Sequence, residues 1–159
     1  MKNNAKIAFF QSKEQERIWS MKKKLIYFLS QRHIRSSMAE AWASKLAINN
    51  AQFISGSWCH TQTSPFVADA LLEYAMEPPA TMPVTPSQKL LNEADLIVTI
   101  YDSASELAPG FPDELRDKIV YWDIKDPEQS PDEPVKWAYY QEVCDNIATS
   151  VKGLEKALL

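Results

Sequence analysis

Five residues in one short stretch have the types that handle anions. Ser30, Arg32, His33, Arg35 and Ser36 follow the apolar run Leu25 to Leu29 and precede "MAEAWA". A strand, a basic loop and a helix N-terminus in that order make a cradle for an anion: the helix supplies unpaired amides and a positive dipole end, and an arginine supplies a planar fork of donors. Phosphate or sulfate is the ligand this pattern suggests for Arg32, His33 and Arg35. The alternative is an arginine drawn into an ion pair with the acidic loop at 126–133, with Asp126 a partner for Arg35. A nucleophile on the first loop residue would be Ser30. A serine hydroxyl needs a positioned base. His33 is the nearest, three residues on, and no orienting carboxylate is evident from the sequence.

These residues need a scaffold that holds them at one edge. Leu25 to Leu29 reads as a central strand buried on both faces. Ser36 or Ser37 is placed to cap the next helix, with Glu40 completing a capping box. Met38, Ala39, Trp42, Ala43 and Leu46 recur on its inner side, and Asn49-Asn50 ends it. "AQFISGS" (51–57) is a second strand, and Pro65 opens a second helix. "MEPPATMPVTPSQ" is a rigid loop with some potential for docking a partner. Ser87 starts a short helix. Residues 95–101 and "KIVYWDI" (118–124) are two more strands, separated by an irregular stretch with a Pro109-Gly110 turn. From Val135 a long helix places Tyr139 or Tyr140, Val143, Ile147, Val151, Leu154 and Leu158 on one face. Strands alternate with helices, which predicts an α/β fold: a three-layer αβα sandwich around a central, mainly parallel four-stranded sheet. Ligands in such sheets bind beyond the carboxyl ends of the strands, where Ser30 to Arg35 falls.

The chain has 159 residues, of which 45% are hydrophobic and 24% charged, enough for one domain with a real core. A net charge of -4 argues against nucleic acid as a partner. Cys59 and Cys144 are too few and too far apart for a disulfide framework, which suggests a reduced, cytoplasmic setting. No apolar run approaches the ~20 residues of a membrane span. The run "IAFF" is too short for a signal peptide. Residues 1–20 read as an extension, Met21 as a second natural start, and 21–159 as the domain. Two histidines and two distant cysteines offer no metal-ligand spacing, so neither metal nor cofactor is expected.

The blocks "IYFLSQRHIRSSMAEAWA", "NEADLIVTIYD", "YWDIKDP" and "KWAYYQEVCDNI", in this order, resemble the low-molecular-weight protein tyrosine phosphatases, and more closely their thioredoxin-coupled arsenate reductase branch. The resemblance covers most of residues 22–159 and implies the same sandwich fold. It implies that Arg35 grips the oxyanion, that Ser36 bonds the nucleophile, and that Asp126, before Pro127, is the general acid. It puts the nucleophilic thiolate at Ser30, or at Leu29 if the gap falls elsewhere. The two further redox cysteines of the branch correspond to Tyr101 and Ala108. All three thiols are therefore absent. The loop also encloses four residues, not five, and Gln31, Arg32 and His33 replace residues that tolerate positive φ. These departures point to a degenerate member that has lost catalysis and binds an oxyanion (phosphate, sulfate or arsenate) or a protein partner. An active phosphatase or arsenate reductase with a rearranged nucleophile, Cys59 being the candidate, is the alternative. Beside Trp58, Cys59 also reads as a semi-buried packing residue, and Cys144 as plain packing.

Overall fold

The structure is a computed structural model that describes residues 23–46, 48–60 and 64–158; the proposed extension, residues 1–20, lies outside them. Four strands, β1 (Lys24–Arg32), β2 (Ala51–His60), β3 (Leu96–Tyr101) and β4 (Ile119–Asp123), form one sheet in the order β2-β1-β3-β4. All three pairings are parallel. The helices are α1 (Arg35–Lys45), α2 (Pro65–Leu72), α3 (Gln88–Glu93) and α4 (Glu133–Leu158), and a 3-10 helix spans Asp113–Lys118. The three-layer α/β architecture is as the alternation of elements predicts.

β1 lies inside the sheet and is covered on both sides, which explains its unbroken apolar run. Ile26 and Phe28 face α1, α2 and α4 and join Met38, Val67, Tyr140, Val143 and Ile147 in the larger core. Tyr27 and Leu29 face the other way, into a smaller cluster closed by Leu90 and Leu91 of α3, Val84 and Phe111. Of the two tyrosines offered for the inner face of α4, Tyr140 is the buried one. Gly153, in the same helix, has open space where a Cβ would go. Gly153→Ala is expected to stabilise the protein by about 0.5–1 kcal/mol, read as a higher urea midpoint at unchanged slope.

The proline-rich segment is a strap along the outer edge of β2. Val84 N donates to Ser55 O at 2.9 Å, and Tyr27 Oη donates to Val84 O at 2.5 Å. Proline fixes φ and removes donors, so such a segment lies against an edge without extending the sheet. Gly56 makes this approach possible, because a Cβ there would stand 1.9 Å from Val84 O. Among the described residues no helix is long and apolar enough to cross a membrane.

Candidate functional site

The strand does not stop at the serine. β1 runs on through Gln31 to Arg32, and Arg32 is level with His60 of β2 after a register irregularity beyond Ser30. The chain then turns within two residues, His33 and Ile34, closed by Ile34 N donating to Arg32 O at 2.8 Å, and α1 begins at Arg35. With backbone spent on the ladder, the segment has little length left to curl round an anion.

The helix start differs from the expected capping box. Ile34 occupies the cap position without a side-chain bond, and Ser36 lies in the first turn. Ser30 does the capping from the strand: its Oγ accepts Ser36 N at 3.0 Å, lies 2.9 Å from Ser36 Oγ, and bonds the Arg32 carbonyl. Ser36 Oγ donates to Gly56 O at 2.8 Å. The Ser36 amide, one of the donors an anion would take, is therefore met by Ser30, which is fully buried. Sequence alone gave no reason to see Ser30 as a cap, since it is six residues from the amide it serves.

Arg35 is also engaged. Its side chain is 2% exposed, and its Nη2 lies 2.7 Å from Oε2 of Glu106, itself 3% exposed. Nη1 donates to Ile124 O at 2.9 Å. Oε1 of Glu106 accepts Asp102 N at 2.7 Å. Asp102 organises the turn beneath: it accepts Ala104 N, Asp126 N at 2.9 Å and Gln129 Nε2 at 2.8 Å. Burial works to raise the Asp102 pKa, but the amide bonds from Asp126 and Ala104 and the charge of Arg35 hold it below the usual carboxylate range. The suggested pairing of Arg35 with Asp126 is therefore replaced by one with Glu106, because the loop after β3 folds back over the sheet edge. Asp126 turns to its own loop, where Oδ1 accepts Glu128 N at 3.0 Å.

His33 and Arg32 face elsewhere. His33 is buried, with Nε2 2.7 Å from Ser55 Oγ. Ser55 Oγ donates to Glu40 Oε1 at 3.1 Å, and Thr81 of the strap donates to Glu40 Oε2 at 2.8 Å. Burial lowers the His33 pKa and raises that of Glu40 against the effect of its hydroxyl donors. The ring is thus bonded away from Ser30, and the Ser30–His33 pairing does not form. Glu40, expected in the capping box, ties α1 to β2 and the strap instead. Arg32 is exposed. Burial works to raise the Glu128 pKa, but the bonds from Tyr140 and Lys136, the charge of Lys136 and, least, that of Arg32 hold it below the usual carboxylate range. The ion pair that Glu128 makes is with Lys136, at 3.0 Å. Of the five basic and hydroxyl residues, the fold brings Ser30, Ser36 and Arg35 to the start of α1 and sends His33 and Arg32 away from it.

Two thiols remain. Cys59 is exposed near the carboxyl end of β2, and Cys144 is buried. Trp42 Nε1 donates to Cys144 Sγ at 3.5 Å, and burial pushes that thiol's pKa up, which suits a packing role. Tyr101 stacks edge-on against Tyr121, and Ala108 is exposed.

No family model matches the chain. Individual relatives do. An arsenate reductase of Halalkalibacterium halodurans is 31% identical over 134 residues, 83% of this chain and 95% of that protein. An arsenate reductase of Bacillus subtilis is 30% identical over 134 residues, with the same two coverages. Among solved structures, an arsenate reductase in its phosphate-binding state aligns with a TM-score of 0.70 at 16% identity, over 86% of this chain and 99% of that one. A low-molecular-weight phosphotyrosine phosphatase of Vibrio cholerae gives 0.68 at 17%, over 84% and 95%. The structural likenesses show the fold, and the sequence relatives show the descent. With 31% identity across most of its length and the same parallel four-stranded sheet, the chain belongs to the arsenate reductase family, on the fold it shares with the low-molecular-weight phosphatases.

Proposed function

We propose that this member has lost catalysis and acts as a partner-binding module, with Arg35 its remaining group for an oxyanion such as phosphate, sulfate or arsenate. The observation that supports this most is the state of Ser30. Its hydroxyl is buried, serves as a helix cap, and among the described residues has no imidazole or carboxylate bonded to it. A hydroxyl in that setting is a poor nucleophile at neutral pH. Arg35 and Asp126, the other two residues that the family resemblance implicates, are bonded into the fold. The partner is pictured as a protein in the reduced setting that two unpaired cysteines suit, with no nucleic acid involved. The domain responsible is residues 21–159.

Purified protein assayed on an aryl phosphate, and on arsenate with thioredoxin, is expected to show no turnover above the uncatalysed rate. Turnover at rates of order 1 per second or more, typical of enzymes, would overturn the reading.

A second reading is kept by one observation. Cys59 is exposed two positions past Ser57, the residue level with Ser30, and so supplies a thiol near the expected nucleophile position. An enzyme using it would lose activity in Cys59→Ala and keep it in Ser30→Ala.

A further inference from the structure

We infer that Glu106 is an internal ligand of Arg35, a side-chain latch that keeps the anion grip shut until the loop after β3 is drawn away. The inference rests on the reading of Arg35 as the group retained for an oxyanion, and it adds what controls access to it.

The contacts of Glu106 are those an oxyanion would make. One carboxylate oxygen takes a guanidinium N–H at 2.7 Å and the other takes a backbone amide, Asp102 N, at 2.7 Å. Both side chains are almost wholly buried, so no third anion shares the guanidinium while Glu106 is in place. The bond is also selective. Asp102 is close enough for the charge of Arg35 to act on it, yet its carboxylate is committed to Ala104 N, Asp126 N and Gln129. Glu106 alone of the two spends its charge on the arginine.

The turn that carries Glu106 is tied to β4 by Ser103 N donating to Asp123 Oδ1 at 3.0 Å and to the next loop by Gln129 Nε2 donating to Asp102 and Ser105, so opening the latch must break these side-chain bonds. Asp102 O accepts Ser105 N at 3.1 Å and Glu106 N at 2.8 Å, which makes 102–106 a compact turn. Beyond it, among the described residues, no backbone hydrogen bond anchors 107–111 until Leu115 N reaches Pro112 O. Leu107, the next residue after the latch, is 90% exposed. A large apolar side chain in water gains by burial against any protein surface that offers a pocket, about 1.5–3 kcal/mol for full burial. A protein partner that takes Leu107 therefore pulls on the residue beside the latch, and an acidic or phosphorylated group of the same partner replaces Glu106 on Arg35. The two events are coupled because one anion must leave for the other to enter.

Inorganic phosphate is the probe. Calorimetric titration of the whole protein is expected to show weak binding for the wild type. Glu106→Gln, which keeps an acceptor but loses the charge, is expected to bind about tenfold more tightly. Glu106→Ala should gain about 100-fold, the factor for a grip that is open about 1% of the time in the wild type. The gain should vanish in Arg35→Ala/Glu106→Gln. A folded Glu106→Gln with no tighter binding than the wild type would overturn the latch, and so would a gain that persists in the double variant. If Glu106→Ala folds only when phosphate is added, the latch is supported; if phosphate fails to restore it and Glu106→Gln gains nothing, the latch is refuted. These outcomes do not depend on turnover. A wild type that hydrolyses aryl phosphates would sink the non-catalytic reading and leave the latch to stand or fall on its own binding data.

Discussion

Arg35→Ala is expected to destabilise the protein by about 3–5 kcal/mol, measured as unfolding free energy in urea. The cause is the partner left behind. The Glu106 side chain is 3% exposed and, among the described residues, takes its cationic bond from Arg35 alone, so truncation strands a carboxylate away from water. The Ile124 carbonyl loses its donor as well. Replacing both ends of the pair, Arg35→Met with Glu106→Leu, should recover most of the loss, since well-packed apolar residues often match a buried ion pair in stability. The two single changes will therefore not add, and the double variant measures the coupling. A loss below about 1 kcal/mol in Arg35→Ala would place the pair among solvated surface bridges, in conflict with its burial.

Gly56→Ala is the second large effect. The added methyl would meet the Val84 carbonyl at 1.9 Å, with Tyr27 Oη at 2.5 Å. Neither neighbour is the far end of a flexible chain: one is backbone and the other is a ring held by its bond to that backbone. The strap must lift, which breaks Val84 N to Ser55 O and carries Thr81 away from Glu40. Overpacking of this kind costs about 1–3 kcal/mol, and the broken bonds add to the upper end. The expected signature is local as well as global. Amides of residues 80–86 should exchange faster, and proteases should cut there before the rest of the fold yields. An unchanged exchange pattern would show that the strap does not depend on Gly56.

Much of the architecture is legible in the sequence because burial on two faces writes itself as unbroken apolar runs. Leu25 to Leu29 and residues 96–100 identify the two inner strands in that way, and the spacing Val143, Ile147, Val151 identifies the inner face of α4. The site is less legible, and for a physical reason. Its decisive contact joins residues 71 apart, Arg35 and Glu106, and Glu106 belongs to a stretch with no periodic signal. The same holds for Glu40. Its position suggests a cap, but strap and strand compete for its carboxylate and win. β1 overruns its expected end because Gln31 and Arg32, poor in apolar content, are carried along by pairing with β2. Arg35 was recognisable from its block. The occupation of Arg35 was not.

The strand order has a consequence for how the chain is made. β1 emerges from the ribosome with β2 soon after it, but its other neighbour, β3, begins about 60 residues beyond the end of β1. At roughly 5–20 residues per second, that interval lasts about 3–12 s. For those seconds one edge of β1, with its apolar run Leu25 to Leu29, is without its mate, and the face of Tyr27 and Leu29 lacks Ala94 and Ile97. Nascent chains of this protein are therefore expected to be clients of ribosome-associated chaperones until about the hundredth residue has cleared the exit tunnel.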